Sequence, residues 1–241
     1  MKVIGYIPLY YGAEYLDACI KSMAPHVEKI IVIYVDKPSQ GYDSGIPCPE
    51  GEEMLKEIAV NASEKVEWHK GRFGHEAQHR EYILQHSEGY DLVLTCDADE
   101  VITDDIQGAL EQAYNSKNRR FNVSGFVNFW RSFDYACYDG FLPARITNLH
   151  NTEGEETVHA TYYHFSCAQS EEIVRFKWNV SGHKSELRPN YLDEVFYGWT
   201  KENQIQDLHP VAFGLWNATP FDKTTLPDVL KNHPNYNKEV I

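Results

Sequence analysis

Apolar residues in this chain come in short unbroken runs separated by longer amphipathic stretches. Val3 to Pro8, Lys29 to Val35 and Asp91 to Cys96 each hold apolar residues at successive positions. Lack of in-out alternation marks strands buried on both faces of a parallel sheet. Lys65 to His69 is a shorter strand candidate. Between these runs, Ala13 to Met23 places Leu16, Cys19, Ile20 and Met23 on one helical face. Glu52 to Ala62, His75 to His86 and Thr103 to Tyr114 are also expected to be helical, with Thr103 as an N-cap. Lys37 to Gly51, rich in Pro, Gly and Ser, is a loop. Strand and helix thus alternate four times, which predicts a doubly wound parallel sheet of the α/β class.

After residue 119 the pattern changes. Phe121 to Trp130, Tyr135 to Leu142, Arg145 to Leu149 and Thr157 to Phe165 are expected as antiparallel or mixed strands, and Ser170 to Val180 and Tyr191 to Thr200 as helices. From Gln204 onward, four prolines and several aromatics predict an irregular arm.

Composition narrows the options. A formal charge of −14 argues against broad binding to nucleic acid or to an anionic membrane. The five cysteines (19, 48, 96, 137, 167) are scattered and never form C-x-x-C, so a reduced, cytoplasmic protein is expected. No leader pattern precedes the first strand, and no apolar run is long enough to span a bilayer. Without an export signal, the sequons at Asn61, Asn122, Asn179 and Asn217 are read as chance. Trp178, Trp199 and Trp216 are candidates to stack on a sugar or base, or simply to pack in a core.

The chemistry concentrates at the end of the run 91–96, where Asp97 and Asp99 flank Ala98. Side chains two apart in extended chain point the same way, and open α/β sheets bind ligands at the carboxyl ends of their strands. Two hard oxygen ligands in one crevice suit Mg²⁺ or Mn²⁺ shared with a substrate's phosphates. A calcium loop is excluded, because position six from Asp97 is Ile102 and position twelve is Gly108. A competing signal is His75-Glu76-Ala77-Gln78-His79, a literal H-E-x-x-H that could bind zinc with Glu76 as general base. No P-loop, G-x-G-x-x-G or G-x-S-x-G sequence occurs, which disfavours P-loop kinases, nicotinamide enzymes and serine hydrolases.

Three stretches resemble the GT-A glycosyltransferases, particularly their family-2-like group. Ile7-Pro8-Leu9-Tyr10-Tyr11-Gly12-Ala13-Glu14-Tyr15-Leu16 is similar to that group's first strand, nucleotide loop and first helix. Ile30 to Asp36 is similar to its second strand and terminal acid, and Asp91 to Glu100 to its acidic strand-end motif. The resemblance implies a Rossmann-like, mostly parallel sheet flanked by helices in one domain. Residues 1–118 would form the nucleotide-sugar half, 119–203 a mixed-sheet acceptor half, and 204–241 the arm. It further implies that Pro8, Tyr10, Glu14 and Ala98 border the donor and that Asp36 accepts from uracil or its equivalent. Arg80 would lie near the diphosphate, Asp97 would hold ribose or metal, and Asp99 the metal. Lys37 replaces a second acid of the pattern, and Glu81 stands where Asn is usual. In the second half, Arg145-Ile146, Val158-His159 and Tyr163-His164-Phe165 more loosely resemble the acceptor half, with His164 completing the metal shell.

The expected activity is therefore transfer of a sugar from a nucleoside-diphosphate sugar, with a UDP-sugar foremost, to an acceptor hydroxyl, using Mn²⁺ or Mg²⁺. The acceptor could be a glycan, small molecule, protein or modified nucleic-acid base. If stereochemistry inverts, a carboxylate must take the acceptor's proton, and Glu155 and Glu156 are the candidates. The alternatives are a zinc metallopeptidase through His75 and His79, a sugar-phosphate nucleotidyltransferase, and a non-catalytic carbohydrate-binding module. A nucleotidyltransferase should carry a basic, Gly-rich loop after the first strand, and Leu9-Tyr10-Tyr11-Gly12 is not one.

Overall fold

In the computed structural model, which describes residues 1–38, 45–138 and 140–239, four parallel strands form where the apolar runs predict them. They are β1 (Val3–Leu9), β2 (Lys29–Val35), β3 (Val66–Gly71) and β4 (Leu92–Thr95), in the order β4-β1-β2-β3. The chain runs outward from β1 to β3 and then returns to the other side of β1. That reversal creates a topological switch point between β1 and β4, the place where such sheets bind ligands.

The period of two explains why these runs are apolar throughout. Val3, Ile7, Val32, Leu92 and Leu94 join one core with α1 (Ala13–Met23), α2 (Glu52–Ala62) and α4 (Ile106–Asn115). Ile4, Tyr6, Ile31, Ile33 and Val93 project to the opposite face and pack with Ile83, Phe73 and Tyr82. Beyond β4 the sheet continues antiparallel through β8 (Ala144–Asn148) to the start of β6 (Arg120–Trp130). The α/β class and the parallel-then-mixed sheet implied by the resemblance are the architecture observed.

The chain divides into two compact units interleaved in sequence. The first comprises Met1–Ser39, Glu50–Phe126 and Phe141–His164; the second comprises Gln40–Pro49, Val127–Gly140 and Phe165–Ile241. In the second unit, β7 (Tyr135–Cys137) pairs with the end of β6 and with β10 (Thr219–Pro220). Its core gathers Trp130, Val174, Tyr191, Phe196, Trp199 and Trp216, with Val174 coming from α5 (Glu171–Val180). Trp199 is a core residue, whereas Trp178, stacked on Tyr191 at 5.2 Å, lines a cavity of about 320 Å³ with Trp216, Lys177 and His209.

Several elements differ from expectation. The 75–86 helix shortens to α3 (Glu76–Glu81) followed by a 3-10 turn at Tyr82–His86. Thr103 does not cap α4: its hydroxyl donates to Asp105 at 2.5 Å, and Asp105 also accepts from the Thr161 N–H at 3.0 Å. The strand expected at 135–142 is only Tyr135–Cys137, and the helix at 191–200 is a π-helical turn at Leu192–Phe196. A three-residue strand, β5 (Glu100–Ile102), was not foreseen; it pairs antiparallel with β9 (Glu155–Cys167). The arm is irregular apart from β10, a 3-10 turn and α6 (Asp228–Lys231). Part of the expected loop, 39–44, lies outside the described residues. All five cysteines are thiols outside any disulfide. Among the described residues, no helix is long and apolar enough to cross a membrane.

Candidate functional site

The strand ends of β1 and β4 meet closely. Gly12 adopts φ 137°, in the region that favours glycine, and a Cβ there would lie 2.7 Å from the Ala98 Cβ. The loop after β1 therefore rests directly on the Asp97-Ala98-Asp99 turn. Glu50 shapes the same loop: its Oε2 accepts from the Gly12 N–H at 2.6 Å and the Ala13 N–H at 2.9 Å. A buried carboxylate at a helix N-terminus satisfies orphan donors and complements the dipole. Those two amides are thus already engaged. Nothing in the sequence singled out Glu50, which closes the loop read as irregular.

Asp97 sits between two guanidinium groups, with Arg145 Nη2 at 2.9 Å from Oδ2 and Arg80 Nη2 at 3.2 Å from Oδ1. Burial opposes its ionisation, but Arg145 and then Arg80 outweigh burial and hold the carboxyl far below the usual range. Arg145 also donates Nε–H to Glu100 Oε2 at 2.9 Å and pairs with Glu100 Oε1. Glu100 is wholly buried, which pushes its carboxyl up to about 7 against the pull of Arg145. The turn is locked from both sides, since the Asp97 N–H donates to Glu100 Oε2 and the Glu100 N–H donates to the Asp97 carbonyl, each at 3.0 Å. A chain of alternating charge results: Glu76, Arg80, Asp97, Arg145, Glu100.

Asp99 lies beside His164, which also acts on the Asp97 carboxyl. Its Oδ1 lies 3.7 Å from His164 Nε2, and both side chains are mostly buried, at 14% and 19% exposure. The pair is held by strand register, because β5 and β9 align Glu100 opposite His164. Phe126 packs against the His164 ring at 5.1 Å.

The expected donor contacts fall around this centre in part. Pro8 is the next-to-last residue of β1; Tyr10 stands edge-on to Tyr11 at 5.7 Å, and Glu14 lies in the first turn of α1. Asp36 closes β2 as expected, but both its oxygens are taken by Arg72, at 3.0 and 2.9 Å, which lowers its carboxyl. Arg80 reaches Asp97 itself.

Three expectations need correction. Asp97 is committed to two arginines, and the Asp97, Asp99 and His164 ligand atoms do not converge as one cluster among the described residues. Glu155 and Glu156 start β9, nine and eight residues before His164, about 26–30 Å away in extended chain. There Glu155 pairs with Asn122, and Glu156 accepts from Ser116 at 2.7 Å, Gln112 at 2.8 Å and Asn118 at 3.0 Å. Neither carboxylate is at the strand-end site. Finally, the H-E-x-x-H pair does not share a helical face. His75 caps α3 from outside, its Nδ1 accepting from the Gln78 N–H, while buried His79 bonds the Ile33 carbonyl at 2.9 Å and Glu76 pairs with Arg80.

No family model matches the chain, and no curated protein matches it. Among solved structures, it is similar to 4-diphosphocytidyl-2C-methyl-D-erythritol synthase from Anaerococcus prevotii, at 10% identity over 72% of this chain and 93% of that one, with a TM-score of 0.44. It is similar to S. aureus TarS at 12% identity over 85% of this chain, with a TM-score of 0.45. The likeness to S. aureus TarS 1-349 in complex with UDP is 16% identity over 54% of this chain, with a TM-score of 0.38. The chain spans 45% of the TarS structure and 36% of its UDP complex.

Proposed function

We propose that the chain is a metal-dependent glycosyltransferase that moves a sugar from a nucleoside-diphosphate sugar, with UDP as the favoured nucleotide, to an acceptor hydroxyl. The observation that carries this reading is the Asp99–His164 pair, 3.7 Å apart at the carboxyl end of β4 and beside the Gly12 loop. A carboxylate and an imidazole suit Mn²⁺ or Mg²⁺, and two protein ligands leave positions for diphosphate oxygens. When bound, such a cation offsets charge developing on the diphosphate leaving group.

The chain's own residues divide the remaining tasks. Arg80, 36% exposed, presents a guanidinium beside the strand end, where it can bond a phosphate oxygen. Buried Arg145 touches no substrate in this reading; it positions the turn that carries Asp99. With the Gly12 and Ala13 amides held by Glu50, the diphosphate depends on Arg80 and the cation rather than on the α1 N-terminus. Tyr10, Pro8 and Glu14 border the donor, and Asp36 meets the base only by sharing or leaving Arg72. The acceptor is a glycan, small molecule, protein or modified nucleic-acid base.

The deciding experiment is a screen of nucleotide-sugar hydrolysis and transfer with Mn²⁺ across donors, followed by Asp99→Asn on the donor that turns over. Mn²⁺-dependent release of UDP that disappears in Asp99→Asn is the expected result. Absence of turnover with every donor, or an unaffected Asp99→Asn, overturns the reading.

A further inference from the structure

A second cluster of ligating side chains lies at the outer edge of the sheet, away from the strand-end turn and independent of the function proposed above. Glu67 and His69 are two apart on β3, the last strand of the sheet order, so both point to one face. Trp68 between them points the other way, stacking on Tyr34 at 5.6 Å. The 3-10 turn Tyr82–His86 brings a third group to the Glu67 and His69 face, with the His86 ring 4.3 Å from the His69 ring. His69 Nε2 lies 2.8 Å from Glu67 Oε1, and one ligating atom from each of the three residues lies within 4.8 Å of the others. Buried His86 Nε2 has no hydrogen-bond partner.

That unpartnered nitrogen is the informative feature. Buried polar atoms are nearly always satisfied, and each exception calls for a missing partner. We infer that Glu67, His69 and His86 form a zinc-class metal site, with two imidazoles and one carboxylate as ligands and a fourth position open to water. Tetrahedral zinc with nitrogen ligands at about 2.0–2.1 Å separates its ligand atoms by about 3.3 Å. Lys29, 2.7 Å from Glu67 Oε2, holds the carboxylate when no metal is there and is half-exposed, free to turn to solvent when one is. An edge strand would then be clipped to the segment that follows α3, which carries Arg80.

The test is equilibrium dialysis of the chelator-stripped full chain against Zn²⁺. The wild type should bind one equivalent tightly, and X-ray absorption at the zinc edge should show two imidazoles in the shell. His86→Ala and Glu67→Gln should each weaken binding by more than the roughly 10–100-fold that loss of a supporting residue costs. Asp99→Asn should bind zinc as the wild type does. Lys29→Met, which removes a competing cation, should tighten it. No zinc bound by the folded wild type, a shell without two imidazoles, or affinity unchanged in both His86→Ala and Glu67→Gln would overturn the site. Loss of zinc in Asp99→Asn instead would also overturn it, by moving the metal to the strand end and leaving the glycosyltransferase reading intact. If His86→Ala fails to fold, the wild-type absorption spectrum and Lys29→Met still decide.

Discussion

Arg145 and Asp97 are 48 residues apart in the chain, yet Nη2 and Oδ2 meet at 2.9 Å, and the same guanidinium saturates fully buried Glu100. Removing one partner of a buried ion network leaves an uncompensated charge, at a cost of about 3–5 kcal/mol. Arg145→Met should therefore destabilise strongly in urea denaturation, and Glu100→Gln added to it should recover part of the loss. A single variant within about 1 kcal/mol of wild type, well below that range, would show the network to be dispensable.

Asp97 also sets an acid limb of stability. Its folded carboxyl is held below the ordinary 3.8 by Arg145 and Arg80, so the wild type binds fewer protons there than the unfolded chain. The resulting stability is complete above the unfolded value and disappears as pH falls through the folded one. The free-energy gap between wild type and Asp97→Asn should narrow steadily as pH falls below about 5. A gap that is constant or widens on acidification contradicts the assignment.

At Gly12 two effects act together: a left-handed φ of 137° and a Cβ position 2.7 Å from Ala98. Gly12→Ala should cost about 1–3 kcal/mol from backbone strain alone, read as a lower melting temperature. Ala98→Gly should relieve the steric share in the double variant while leaving the backbone share. An unchanged melting temperature in Gly12→Ala would mean that the loop does not rest on the turn.

His164→Ala and Glu156→Gln separate the strand end from the start of β9. If Asp99 and His164 hold the cation, His164→Ala should reduce Mn²⁺-dependent turnover by about 100-fold or more, since even supporting residues cost roughly 10–100-fold. Its melting temperature should stay near that of wild type. Glu156→Gln should keep turnover within about twofold, because its carboxylate serves Ser116, Gln112 and Asn118. Steady-state kinetics on both variants, with loss in Glu156→Gln and none in His164→Ala, would reverse the assignment.

The parallel half of the fold was legible because β1, β2 and β4 are buried on both faces, so Ile30 to Val35 and Leu92 to Cys96 announce themselves by composition alone. The strand-end position of Asp97 and Asp99 followed from that. Their separate fates did not, since nothing near Asp97 in sequence reveals Arg145 across the sheet. Glu100 offered a faint signal: a charge set between the Asp97–Asp99 turn and apolar Val101-Ile102 needs a buried partner. Short elements were the least legible. β5 has three residues, and α3 ends after six because the backbone tightens at Tyr82. Glu155 and Glu156 were misplaced because β9 is longer than its apolar run, which carries both to the far end of the strand.

The Glu100–His164 pairing has a consequence for how this chain tolerates length changes. His164 is aimed by β-register rather than by a flexible connection, and side chains alternate faces along a strand. Insertions within the 149–154 turn would be absorbed before β9 begins. A single residue gained or lost between Glu155 and His164 would instead present Tyr163 or Phe165 to Asp99 and turn the imidazole to the opposite face. Drift in this protein's length is thereby confined to its turns, and the interior of β9 is a segment where only substitutions can accumulate.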